Sequence, residues 1–171
     1  MNWILEGFMG SGKSAIGRRL AGHRGLPFLD TDSIIEEKQS MSIADIFSHQ
    51  GEGAFRQMET AVLWGLTLDD TEAVISLGGG TPMYDRNIRP IKELGKVIYL
   101  KASSELLIKR LEGGVEERPM LKGGELDERV QSLLAKREDR YMEIADIIVP
   151  MEDEPIEDTC SRIIDMTKGL D

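Results

Sequence analysis

The sequence predicts an α/β fold, a three-layer sandwich in which a five-stranded parallel sheet is flanked by helices on both faces. Three observations carry this. Short apolar runs alternate along the chain with longer segments of helical periodicity. The first run leads straight into a glycine-rich loop that opens a helix. The 171 residues show no internal repeat, linker or low-complexity tract, which suits a single domain, 1–171.

The elements follow in order. Trp3-Ile4-Leu5 is the first strand. Ser14 to His23 is a helix with Ile16 and Leu20 on one face. Pro27-Phe28-Leu29 is the second strand, ending at Asp30, and Asp32 is expected to cap a helix running through Lys38. Ser42 to Asp45 has the form of a capping box and opens a short helix. Gly51 to Leu68 is a long helix with Phe55, Met58, Val62 and Leu66 along one stripe. Ala73 to Leu77 is a buried strand stopped by Gly78, Gly79 and Gly80. Asn87 to Leu94 is a helix with Pro90 early in it, and Val97 to Leu100 is the fourth strand. Ser104 to Leu111 and Leu126 to Met142 are helices on either side of a polar, glycine-rich segment. Ile147 to Val149 is the fifth strand, and Ile156 to Met166 the last helix, with Ile156, Cys160, Ile163 and Ile164 on its inner face. In such sheets ligands bind beyond the carboxyl ends of the strands, so the residues just after each strand are the ones to inspect.

Composition narrows the function. Lys plus Arg number 21 against 31 Asp plus Glu, a net charge of −10, so the chain as a whole has no basic footprint for nucleic acid and little attraction to anionic membranes. Apolar runs are too short to span a bilayer, and the first residues lack the pattern of a secretory signal. Cys160 is the only cysteine, beside His23 and His49, which leaves no internal disulfide and makes a transition-metal site unexpected. A cytoplasmic monomer is the expectation.

Gly7-Phe8-Met9-Gly10-Ser11-Gly12-Lys13-Ser14 matches G-x-x-x-x-G-K-[ST] in full, between a strand and a helix as the motif requires. Backbone N–H groups of Gly10, Ser11, Gly12, Ser14 and Ala15 are expected to cradle phosphate, aided by the helix N-terminus. Lys13 is expected at the β and γ phosphates and Ser14 at Mg²⁺. Gly10-x-Gly12-x-x-Ala15 also fits a dinucleotide fingerprint, with Asp30 about twenty residues on. That reading leaves Lys13 and Ser14 without a role and puts three residues between the strand and the turn.

Other candidates lie at the remaining strand ends. Asp30-Thr31-Asp32 offers one carboxylate for Mg²⁺ and one for a hydroxyl, or simply a cap and a solvated neighbour. Arg56 and Glu59 are three apart on a helix and can pair. Gly78 to Gly80 permit close approach of backbone to ligand. Arg118-Pro119-Met120-Leu121 sits among glycines at about 112–124, as a closing lid or a plain surface loop.

Taken together, the ordered motifs resemble shikimate kinase over nearly the whole chain. The resemblance lies in G-x-M-G-S-G-K-S at Gly7–Ser14, L-D-x-D at Leu29–Asp32, S-I-x-x-I-F at Ser42–Phe47 and G-E-x-x-F-R-x-x-E at Gly51–Glu59. It continues with S-x-G-G-G at Ser76–Gly80, a lid R-P-L as Arg118, Pro119 and Leu121, and R-x-x-x-Y at Arg137–Tyr141. It implies a P-loop NTPase-type fold with a mobile lid, and transfer of the ATP γ-phosphoryl group to the 3-hydroxyl of shikimate. It implies Arg56 and Arg137 as a carboxylate clamp, Glu59 holding Arg56, Asp32 as base, and Gly78, Gly79 and Gly80 at the substrate. Asp30 would hold Mg²⁺ with Ser14, Arg118 would act with Lys13 on the transferring group, and Arg110 would pack on adenine. Ala15 stands where the family usually has Thr, and Met120 interrupts the lid motif. Another small-metabolite or nucleoside monophosphate kinase, and a catalytically silent nucleotide-binding regulator, are the alternatives.

Overall fold

Five strands pair side by side, all parallel, in the order β2-β3-β1-β4-β5. They are β1 (Asn2–Glu6), β2 (Phe28–Asp30), β3 (Val74–Ser76), β4 (Gly95–Lys101) and β5 (Ile147–Pro150). The structure, a computed structural model, describes residues 1–112 and 125–169. Helices α1 (Lys13–Arg24), α2 (Thr31–Gln39), α3 (Ile43–Leu66), α4 (Asp85–Leu94), α5 (Ser104–Leu111), α6 (Leu126–Ile144) and α7 (Ile156–Thr167) cover the two faces.

The central strands carry continuous apolar runs because both faces are covered. Trp3 and Leu5 of β1 pack with Ile16, Leu20, Leu107 and Ile163. Ile4 points the other way, to Leu63, Ile91 and Ile144. A smaller cluster of Ile35, Ile46, Phe55 and Val62 binds α2 to α3 beside the sheet. Cys160 is buried as expected, but Ile156 is 41% exposed, so the inner face of α7 runs through Thr159, Cys160, Ile163 and Thr167 instead. Among the described residues no helix is long and apolar enough to cross a membrane.

Three local details depart from the sequence expectation. Asp30, not Asp32, caps α2: its Oδ1 accepts from the backbone N–H groups of Asp32 and Ser33 at 3.0 and 3.3 Å. The helix therefore starts two residues earlier, at Thr31, and carries Asp32 in its first turn. The short helix after Ser42 runs directly into the long one, and the two meet at Gly51, whose backbone leaves the helical region (φ 82°, ψ 167°). A 3₁₀ turn over Thr81–Met83 follows the glycines, where no regular element was expected.

Strand order reverses around β1, with β3 and β2 on one side and β4 and β5 on the other. The crevice at the carboxyl ends of β1 and β3 is where a ligand belongs in such a sheet.

Candidate active site

That crevice is a cavity of about 780 Å³, lined by the loop after β1, the turn after β3, and residues of α2, α3 and α6. Gly10, Gly12, Lys13, Ser14, Ala15, Asp30, Asp32, Arg56, Glu59, Gly78, Gly79, Gly80 and Arg137 all face it. Most of the residues nominated from sequence thus converge on one space. Ser11 is buried beneath the loop, with no partner for its hydroxyl among the described residues. Arg110 crosses the loop from α5, donating to the Ser11 carbonyl at 3.2 Å. Arg118 lies outside the described residues, as does 113–124 of the expected lid.

The loop is built for an anion. Gly12 holds a left-handed conformation (φ 97°, ψ 11°) that other residues resist, and it starts α1 with no side-chain cap. The first N–H groups of α1 are therefore left for a ligand. Lys13 Nζ folds back onto the loop, donating to the carbonyls of Gly7 and Phe8 at 2.7 and 3.0 Å. Loss of solvent lowers the Lys13 ammonium to about 8, against the opposing pull of Asp32 and Asp30.

Across the cavity, Ser14 Oγ donates to Asp30 Oδ2 at 2.8 Å, while the other Asp30 oxygen caps α2. Two hard oxygen donors stand side by side at the root of the loop. Asp32, two residues on, is pushed up to about 7, first by burial and then by Glu59 and Asp30. Its Oδ1 is buried and has no hydrogen-bond partner among the described residues.

Arg56 is almost fully buried, and both of its carboxylate partners come from its own helix. NH1 donates to Glu59 Oε2 at 2.8 Å; Nε and NH2 donate to Glu52 Oε1 at 3.3 and 3.2 Å. The Arg56–Glu59 pair expected from spacing is therefore present, and it is buried rather than superficial. Glu52, which belongs to the same motif but was given no role there, occupies the rest of the guanidinium. Glu59 also accepts from Thr81 Oγ1 at 2.5 Å, so it ties α3 to the turn after the glycines.

Arg137 of α6 is 4% exposed, and its NH1 has no partner among the described residues. Tyr141, one helical turn on, donates its hydroxyl to the Gly79 carbonyl. The glycine turn runs between these groups with no room to spare. A Cβ on Gly78 would lie 2.7 Å from Asp32 Oδ1, and one on Gly79 would lie 3.3 Å from Arg137 NH1. An orphaned acceptor and an orphaned donor thus flank the same turn.

The cavity wall is not uniformly basic. Lys13, Arg56 and Arg137 are matched by Asp30, Asp32, Glu36 and Glu59.

A family model described as "Shikimate kinase" matches residues 9–168. The chain belongs to the shikimate kinase family. Among curated relatives, a shikimate kinase of Dictyoglomus turgidum is 42% identical over 161 residues, 93% of this chain and 92% of that one. Among solved structures, shikimate kinase from Acinetobacter baumannii in complex with shikimate superposes with a TM-score of 0.92 at 33% identity, covering 99% of this chain and 95% of that one. A deoxyadenosine kinase from M. mycoides, at a TM-score of 0.62 and 17% identity over the whole of both chains, shares the fold. As a shikimate kinase family member this chain is an ATP-dependent kinase.

Proposed function

We propose that this chain transfers the γ-phosphoryl group of ATP to the 3-hydroxyl of shikimate, giving shikimate 3-phosphate and ADP. One observation carries the acceptor assignment: Asp32 Oδ1 and Arg137 NH1 are buried, unpartnered among the described residues, and set on either side of the Gly78–Gly79 turn. Buried polar groups need partners, and a hydroxylated ring acid supplies both, a hydroxyl to Asp32 and a carboxylate to Arg137. A nucleobase has no carboxylate to offer Arg137.

In this reading Asp32 orients the attacking hydroxyl and takes its proton. Arg137 and Arg56 fix the carboxylate, with Glu59 holding Arg56 in place; the substrate competes with Glu52, the more exposed of the two Arg56 partners. The backbone of Gly78, Gly79 and Gly80 closes against the ring. Gly10, Gly12, Ser14 and Ala15 present N–H groups to the phosphates, whereas the Ser11 N–H, expected among them, donates to the Phe8 carbonyl at 3.1 Å and shapes the loop instead. Lys13 leaves the Gly7 and Phe8 carbonyls for the β and γ phosphates, and Arg110 packs on adenine. Arg118, carried by a lid at about 112–124, neutralises charge on the transferring group. Ser14 and Asp30 are the oxygen donors that suit Mg²⁺. Bound there, the ion would offset charge on the phosphates. Little covalent chemistry is asked of the protein: positioning and electrostatics do the work.

The reading extends to a single kinase domain acting as a cytoplasmic monomer, with neither nucleic acid nor membrane as partner; the net charge of −10 supports the nucleic-acid part. Coupled detection of ADP tests it: shikimate-dependent turnover of ATP is expected. A flat trace with shikimate, alongside turnover of another acceptor, overturns it.

A further inference from the structure

One buried carboxyl has no part in the chemistry above. Glu6 ends β1, is 1% exposed, and neither of its oxygens has a hydrogen-bond partner among the described residues. By strand alternation it faces the same side as Ile4, toward the α3, α4 and α6 layer. Tyr99 is its register partner on β4. Tyr141 of α6 packs on Tyr99 with ring centres 5.1 Å apart, and its hydroxyl reaches Gly79. Lys92 of α4 and Asp146, just past α6, act on Glu6 from the same layer and pair with each other at 3.2 Å. Lys13 of α1 acts on it from the phosphate loop. The residue after Glu6 is Gly7, whose carbonyl accepts from Lys13 Nζ.

An unpaired buried carboxylate is far costlier than the neutral acid. Burial pushes Glu6 up to about 9, despite the opposing pull of Lys92 and Lys13. Near neutrality it is an uncharged acid at the end of the strand that leads into the phosphate loop. We propose that Glu6 is a proton-gated residue for nucleotide binding: as the neutral acid it adds no negative charge at the strand end that leads into the phosphate loop, and as the buried carboxylate it repels the polyphosphate. Nucleotide that prefers the neutral form must in turn raise the pH at which Glu6 ionises.

Calorimetric binding of MgADP to the wild type and to Glu6→Gln tests this. If only the protonated form binds well, ionisation near 9 weakens wild-type binding about fourfold between about pH 7 and about pH 9.5. Titration of Lys13 affects both proteins. The expected result is a wild-type Kd ratio between the two pH values about fourfold larger than that of Glu6→Gln. Equal ratios, or a larger one in the variant, overturn the proposal. It rests on the phosphate loop binding nucleotide: no binding to either protein at either pH refutes that reading and this one with it, whereas binding with equal ratios refutes this one alone. Should Glu6→Gln fail to fold, infrared titration of the wild type decides. The band of a protonated buried carboxyl must persist above the range where Asp32 ionises, and to higher pH with MgADP than without. A band absent there, or indifferent to MgADP, overturns the proposal.

Discussion

Glu59→Gln is the substitution with the most to say about how the acceptor half is held. The Glu59 side chain is fully buried, and its two oxygens serve two partners, Arg56 NH1 at 2.8 Å and Thr81 Oγ1 at 2.5 Å. Glutamine keeps the size but replaces one acceptor with an N–H donor and removes the charge. With the amide oxygen turned to Arg56, the amide N–H faces the Thr81 hydroxyl, which can rotate to accept it, so the loss falls on the charge opposite the guanidinium. A hydrogen bond to a charged group is worth about 1.5–3 kcal/mol. Leaving a buried charge wholly unpaired costs about 3–5 kcal/mol. Arg56 retains Glu52 at 3.2 Å, so the loss belongs at the lower end, about 2–3 kcal/mol. For a chain of this size that is a fall of about 4–12 °C in the thermal midpoint. The kinetic effect is more specific. A guanidinium no longer anchored to α3 grips the acceptor carboxylate less well in ground and transition states alike, so the shikimate KM rises about tenfold with kcat little changed. The KM for ATP stays where it was, because the phosphate loop does not touch this pair. Thermal unfolding and coupled ADP detection give both readouts. A variant with the wild-type midpoint and the wild-type shikimate KM would refute the reasoning, and would mean that Glu52 alone positions Arg56.

Asp32→Asn is expected to abolish turnover while MgADP binding persists, measured by steady-state kinetics beside calorimetry; retained turnover removes Asp32 from the base role. Glu52→Gln is expected to lower the shikimate KM about two- to fivefold, since the substrate carboxylate then meets a guanidinium with one partner fewer, within the worth of a partly exposed ion pair; a raised KM would make Glu52 a support rather than a competitor. Stability should fall with pH in the mildly acidic to neutral range. Glu6 at about 9 and Asp32 at about 7 both hold protons more tightly folded than unfolded, so their contribution is full below the ordinary carboxylate range and is lost as pH rises toward those values. The thermal midpoint should drop less steeply in Glu6→Gln than in the wild type across that range, and parallel slopes would count against a protonated Glu6.

The sheet was legible because each strand is a short apolar run bounded by glycine or a capping residue, and because β1, β3 and β4 are buried on both faces. The phosphate loop was legible because its chemistry is local: Gly12, Lys13 and Ser14 are consecutive. Less local features escaped. Asp30 serves α2 as cap and Ser14 as acceptor at once, and spacing alone does not say which of two neighbouring aspartates turns back on the chain. The tie from Glu59 to Thr81 joins residues 22 apart, and that from Tyr141 to Gly79 joins residues 62 apart; neither leaves a periodic trace. Glu6 was not nominated from the sequence either: a charge directly following the apolar run Trp3-Ile4-Leu5 was a signal, but the run alone does not say that its last position stays inside a central strand.

The net charge of −10 first argued against polyanionic partners, yet the family's co-substrate is itself a polyanion. Convergence of arginines and lysine on the cleft does not resolve this by itself. Three cations face the cavity with four carboxylates, and a fifth carboxyl, Glu6, is buried at the end of the strand that leads into the loop. What favours phosphate must therefore come from groups that a charge count omits. The uncapped N–H groups of α1 are one such source. The engagement of the acids is another: Glu59 is spent on Arg56 and Thr81, and Asp30 on Ser14 and the α2 cap. Asp32 and Glu6 remain, the two carboxyls with unpartnered buried oxygens, and both are driven upward by burial. Near neutrality the field at the phosphate loop is then set less by how many acids surround it than by which of them hold a proton. On the proposal above, the protonation of Glu6 joins the uncapped N–H groups and the sum of charges in setting how cationic a loop this acidic protein presents.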